Sequence, residues 1–406
     1  MSEEQQPCKF KDPDTLKDIL ELLEKLMDAR SISSPVLGKL EEEAKKYFKE
    51  SDILSPLATV FTRASGIRST ILESPSYDKY SSLTGHEGHD CVPRALKTCL
   101  PKAYAALLFM LFNCDTAFSG YSLGEWSGQK VNGIGSSHDL YQWLTDDRLV
   151  TPGLIKRGFL DRDLDDSNDG QTVAPVIKQI ISHDSAGPLQ KVLLYLLFVC
   201  PWDPSLTGHA LCFLSMFCVT VQSPQKNFEG YSEELKNVCQ EIQSSLNSFV
   251  QGSSQSHILA VSQGNSNVYT GVFKNDSLDA YCDWLRGNLQ NIIQSLNLMS
   301  EDCGTWNPMS FQTGLTAGPF LYGFVPKDKS WMTDISSNLQ GPIKSLIESL
   351  EKLEKALQTS SSAAATAGGV FTGLLGTGGL GAGAAYATNA FGFQNLITSF
   401  ISSFLK

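Results

Sequence analysis

Three uncharged apolar runs set the terms for this chain: AYAALLFMLFNC at 103–114, VLLYLLFVC at 192–200 and ALCFLSMFCVTV at 210–221. Each is shorter than the roughly 20 apolar residues that a bilayer span needs. Each is also too apolar on every side to lie against water, which is the pattern of a helix buried all round. The rest of the chain must therefore wrap them. The predicted fold class is mainly α: a multi-helix body with long irregular loops and a Gly/Ala-rich hydrophobic C-terminal tail. With 42% hydrophobic residues over 406 positions, there is ample material for such a core.

Around these runs the sequence divides into four segments. Residues 1–75 read as short helices. Asp14 or Thr15 caps a stripe of Leu16, Ile19, Leu20, Leu23, Leu26 and Met27. Ser34-Pro35 is expected to open a second helix, and Ser55-Pro56 a third with Leu57, Val60, Phe61, Ala64 and Ile67 on one face. Residues 76–305 form the helical body. Besides the apolar runs it holds amphipathic helices at 229–250 and 277–299, and a polar Gly/Ser-rich loop with one short strand between them. The Gly-, Asp- and Ser-rich stretches 115–138 and 157–171 read as exposed, variable loops. Residues 306–358 comprise a connecting loop and a long amphipathic helix, 330–358, with Ile335, Leu339, Ile343, Leu346, Leu350, Leu353 and Leu357 in one stripe. That stripe is expected to pack on the body rather than to wait for a partner helix.

Residues 359–406 differ from everything before them. From Ala356 to Leu405 there is no charged residue. Gly369 and Gly373, and again Gly379 and Gly383, stand four apart, a spacing that lets two membrane helices approach closely. Phe393, Ile397, Phe400 and Phe404 then fall on one face of an uncharged amphipathic segment. These eight residues are the candidate membrane-associating set, and the segment is expected to contact or insert into a membrane. The same glycine spacings suit self-association. Each glycine lowers helix stability by about 1 kcal/mol against alanine, which weakens a single stable span.

Charge and motifs exclude more than they assign. A net charge of −11 with 18% charged residues argues against a nucleic-acid binder, which needs clustered Lys and Arg. The N-terminal MSEEQQPCKFKDPD shows neither the positive nor the apolar region of a secretory signal. Ten cysteines are present without any C-x-x-C pair. They permit disulfides without requiring them, and Cys114, Cys200, Cys212 and Cys218 lie in apolar runs as small hydrophobes. Gly120-Tyr121-Ser122-Leu123-Gly124 matches the nucleophile elbow by letter, and Asp203 and His209 follow in triad order. The glycine-rich residues after it cannot start the required helix, so it reads as a loop coincidence. His86-Glu87-Gly88-His89-Asp90-Cys91 gathers zinc-type ligands, but the histidines are three apart rather than four and the flanking glycines point to a polar loop. Asp165-x-Ser167-x-Asp169-Gly170 resembles half of a calcium loop but has Val176 where a bidentate Glu belongs, and reads as an acidic turn before a helix near Thr172. His209 reads as a satisfied histidine near a helix start. No enzymatic activity, metal or cofactor is expected.

Several blocks are distinctive: CKFKDPDTLKDILELLEKL near the start, CVPRALKTCLPKAYAALLFMLF at 91–112, LYQWLTDD at 140–147, CPWDPSLTGHALCFLSMFC at 200–218 and the closing AYATNAFGFQNLITSFISSFLK. Together they resemble the secreted antigen 1 family of Babesia parasites, which is akin to the variant erythrocyte surface antigens. The resemblance implies a non-enzymatic, multigene antigen of an apicomplexan parasite, secreted or displayed at the infected red cell without a classical signal peptide. It also implies a host-cell protein as partner, beside a membrane reached through residues 359–406. Two alternatives stand: a membrane-perturbing or pore-forming protein acting through the tail, and a soluble intracellular helical scaffold.

Overall fold

The computed structural model describes residues 11–44, 54–71, 79–80, 83, 85–114, 140–147, 153–164, 173–181, 188–199, 203–222, 233–253, 278–307, 317–324 and 335–372. Among them are eleven α-helices and no strand, so the chain is mainly α. It divides into two units, Met1–Gln358 and Thr359–Lys406. The helices are α1 Leu16–Asp28, α2 Arg30–Ala44, α3 Leu54–Ile71, α4 Gly85–Cys114, α5 Leu140–Thr145, α6 Val173–Ile181, α7 Pro188–Val199, α8 Thr207–Gln222, α9 Glu233–Ser253, α10 Leu278–Gly304 and α11 Ile335–Thr372.

The first unit is organised around α4, whose residues from Ala103 to Phe112 are all buried. A helix with no polar face can satisfy this only when neighbours cover it on every side. Helices α1, α2, α6 and α7 supply that cover, together with the 3-10 turns Pro204–Leu206 and Gly318–Tyr322. The second turn sends Phe320 into the core, where its ring lies 5.5 Å from Phe109 and 5.0 Å from Phe112. The other two apolar runs became α7 and α8, with Val192–Phe198 and Thr207–Leu214 buried. Their contact with α10 is aromatic: Phe198 and Phe213 stand 4.9 and 5.2 Å from Trp284. With their flanks the apolar stretches are longer than the runs alone. Cys91–Cys114 and Pro204–Gln222 are each long and apolar enough to cross a membrane, yet both are mostly buried inside the fold.

Helices α9, α10 and α11 pack side by side. Gln290 of α10 donates to Glu354, and Arg286 donates to the Leu357 carbonyl, so residue numbers on α10 and α11 run in opposite senses. The same holds between α9 and α11, where Lys352 bridges Glu241 and the Ser245 hydroxyl lies 3.0 Å from that of Ser345. The stripe Ile335, Leu339, Ile343, Leu346, Leu350, Leu353 and Leu357 is fully buried, packed on the body as expected. The helix does not stop near 358 but continues to Thr372, through Gly369. Alanine and serine between Ser360 and Thr366 are compatible with a helix that α11 has already nucleated, since propagation is easier than initiation.

Three other local expectations need correction. The second helix begins at Arg30 and runs through Pro35 instead of opening there. Its first turn is already closed by Ser33 N–H donating to the Ala29 carbonyl at 3.0 Å, and burial of Val36 and Leu40 carries the helix past the proline. The stretch from His86 to Cys91 is not a loop but the first turns of α4. Glycine at 85 and 88 lowers helix stability by only about 1 kcal/mol each, less than the burial of the apolar helix that follows. Residues 157–164, read as part of an exposed loop, are firmly seated: Arg157, Phe159 and Leu164 are buried.

That seating is a small lock at the N-terminal edge. Of the two cap candidates Asp14 and Thr15, it is Thr15 that caps α1, accepting from Asp18 N–H at 3.1 Å. Leu16 and Lys17 donate to the carbonyls of Lys156 and Arg157 at 2.7 and 3.0 Å. Gly158 lies against Thr15 with φ +75°, where a Cβ would come 2.6 Å from the threonine side chain. Lys17 pairs with Asp163 at 2.9 Å. Arg157 donates from Nε and Nη2 to the Trp143 and Asp146 carbonyls, both at 2.8 Å, and its guanidinium lies 5.0 Å from the Trp143 ring.

Candidate functional site

The block PWDPSLTGHALCFLSMFC builds the most unusual chemical environment in the described residues. Asp203 starts it, its Oδ1 accepting from Ser205 N–H at 2.9 Å and so capping the 3-10 turn that Pro204 opens. The Thr207 hydroxyl donates to the Pro204 carbonyl at 2.7 Å and passes the chain into α8. His209 is the third residue of that helix and is 0% exposed. Because α8 is apolar around its whole circumference at this end, the imidazole has no route to solvent.

Tyr104 of α4 meets the imidazole edge-on, with ring centroids 5.5 Å apart. Gln190 of α7 donates to the Tyr104 hydroxyl at 3.3 Å. Cys212 sits one turn along α8. Both imidazole nitrogens of His209 are buried without a hydrogen-bond partner among the described residues. The histidine read as satisfied is therefore unsatisfied. Leaving a buried polar atom unpaired costs about 1–3 kcal/mol.

Electrostatics follow from burial. Desolvation alone lowers the His209 pKa from 6.5 to about 3, so the ring is neutral in the folded chain. The same cause raises the Cys212 thiol well above its ordinary value. Burial also raises Tyr104, with the Gln190 hydrogen bond pulling the other way. Asp203 is raised by desolvation, against the Ser205 hydrogen bonds and the Lys102 charge, which favour its carboxylate. Neutral imidazole beside neutral thiol is the reverse of the thiolate–imidazolium pair that activates a nucleophile. Asp203 is spent on Ser205 and does not orient His209, so this pair does not assemble as a triad would.

Of the other candidates, Gly369 lies in α11, while Gly373, Gly379, Gly383, Phe393, Ile397, Phe400 and Phe404 fall outside the described residues. So do Ser122 with its flanking glycines, Asp165, Ser167, Asp169 and Gly170, the loop 115–138, and the polar stretch between α9 and α10 with its expected strand. Cys91 is disulfide-bonded. Cys99, Cys114, Cys212, Cys218, Cys239, Cys282 and Cys303 remain thiols. Among the described residues no cluster of three His, Cys, Asp or Glu is placed to hold a metal. Cys218 of α8 and Cys239 of α9 come into hydrogen-bonding contact, a pairing that no spacing or motif announces. An open polar groove of about 700 Å³ runs between α9 and α11, lined by Glu241, Ser244, Ser245, Ser345, Ser349 and Lys352 among others.

Comparison with profiles of protein families, with curated proteins and with solved structures finds no match.

Proposed function

We propose that this chain is a non-enzymatic antigen of an apicomplexan parasite, acting at the surface of the infected red cell. The observation that carries this reading is where its most distinctive block lies. Leu206, His209, Leu211, Phe213, Leu214 and Phe217, within the stretch that resembles secreted antigens, are core residues. A block used as framework leaves recognition to the surface, in particular to the long polar segment 115–138. The described residues that flank that segment in the sequence, Phe112 and Cys114 before it and Leu140 and Trp143 after it, are buried. Loops hung from a rigid base are the usual place for binding. The tail from Thr359, uncharged up to Lys406, would hold the antigen at a membrane.

The test is antibody labelling of intact infected red cells against the same cells after permeabilisation. Labelling of intact cells is the expected result. Signal that emerges only after permeabilisation overturns surface display and favours the intracellular scaffold.

A further inference from the structure

Helices α7 and α8 follow one another closely in the chain and form an apolar pair. Lys191 is the one charged side chain on α7, and α8 carries no Asp, Glu, Lys or Arg. The stretch Pro204–Gln222 combines the length and apolarity of a membrane-crossing helix with 72% burial inside a folded unit. In that stretch His209 is the one side chain that can gain positive charge on acidification.

Among the described residues, what faces the imidazole offers it no charge partner. From α4 comes the edge of Tyr104, which Gln190 of α7 holds by its hydroxyl. Lys102, also of α4, acts on Asp203, whose carboxylate caps Ser205. Cys212 on α8 itself is a neutral thiol. Farther along, Cys239 of α9 meets Cys218, while α10 turns Tyr281 and Trp284 toward Phe213. A proton on His209 would be a bare charge in this setting, and the fold can admit it only by opening.

We propose that acidification releases the α7–α8 pair from the core and delivers α8 to a lipid surface, with protonation of His209 as the trigger. This goes beyond surface display and does not involve residues 359–406. The opened chain binds a proton below about pH 6.5, which the closed chain refuses until about 3. At pH 5 the opening equilibrium is therefore raised about 30-fold by this one group. Asp203 works in the opposite sense, because its raised pKa favours the closed, protonated form as pH falls. Once open, α8 exposes Leu211, Phe213, Leu214 and Phe217, which need an apolar partner. A lipid surface fits best, since a charge-free stretch of 19 residues matches the bilayer hydrocarbon in length.

The probe is a phosphatidylcholine vesicle, which at neutral pH removes the repulsion that a net charge of −11 would meet on anionic lipid, so that surface charge does not itself create a pH dependence. Full-length wild type and His209→Leu are floated with vesicles at pH 7.5 and pH 5. His209→Met serves as the second variant, and circular dichroism at pH 7.5 checks that each is folded. The expected result is at least tenfold more vesicle-bound wild type at pH 5 than at pH 7.5, with both variants unresponsive to pH. Hydrogen exchange on the bound wild type should show lost protection along α9, on which α8 packs, and new protection within 204–222. Equal binding of wild type at the two pH values overturns the proposal. So does acid binding by the variants that equals wild type, or protection confined to 359–406. The last result would leave the tail-anchored antigen standing.

Discussion

Replacing His209 by leucine tests the energetics of the buried imidazole directly. At pH 7.5 the wild-type fold carries a neutral ring with two unpaired nitrogens, and leucine of similar volume removes both. The variant should be as stable as wild type or more so. The pH dependence carries the stronger test. The folded pKa is depressed to about 3 from 6.5, so the unfolded chain binds more protons between those values and wild-type stability falls as pH drops through that window. Integrated from pH 7.5 to pH 5, the loss is about 2 kcal/mol from His209 alone. Asp203 and the remaining carboxylates titrate in wild type and variant alike, so their contributions cancel in the difference. Urea unfolding of both proteins at the two pH values, followed by circular dichroism, measures it. The gap between His209→Leu and wild type should widen by about 2 kcal/mol on acidification, a shift of one to two pH-independent hydrogen bonds in scale. A gap that stays constant within about 0.5 kcal/mol would refute the assignment, because it would mean the imidazole takes up its proton in the folded state.

Two substitutions probe the lock at the N-terminal edge. Gly158→Ala forces a side chain into a backbone with φ +75° and into Thr15, 2.6 Å away. It should lower stability by about 2–3 kcal/mol, read as a reduced urea midpoint, and an unchanged midpoint would mean that the 153–164 segment is not clamped on α1. Arg157→Lys keeps the charge but cannot donate in a fork to both the Trp143 and Asp146 carbonyls or lie flat on the indole. A loss of about 2 kcal/mol in the same assay is expected, and full retention would show that any cation suffices at this position.

Much of the framework was legible because its causes are local. Thr15 caps because a short oxygen side chain precedes a helical stripe, and the stripe of α11 is buried because leucine and isoleucine recur every three or four residues. The apolar runs had to be buried helices, since neither water nor a bilayer of ordinary thickness suits them alone. Misreadings came where a local preference met a nonlocal gain. Glycine at 85 and 88 discourages helix by about 1 kcal/mol each and proline at 35 by about 3 kcal/mol, and burial of the flanking turns overrode them. Arg157 looked like part of a polar loop because its acceptors are carbonyls of residues 143 and 146, which carry no sequence signature.

By itself, the sequence determined that this protein is a helical assembly with a charge-free stretch from Ala356 to Leu405, because hydrophobic period and charge placement act within a few residues. It also showed that His209 stands at the head of an apolar helix. Only the tertiary structure decided that α4, α7 and α8 close around that histidine and bring Tyr104 to its face, with no hydrogen-bond partner for either nitrogen among the described residues. A hydrogen bond that is missing depends on every neighbour at once, and the packing of distant segments is what selects those neighbours.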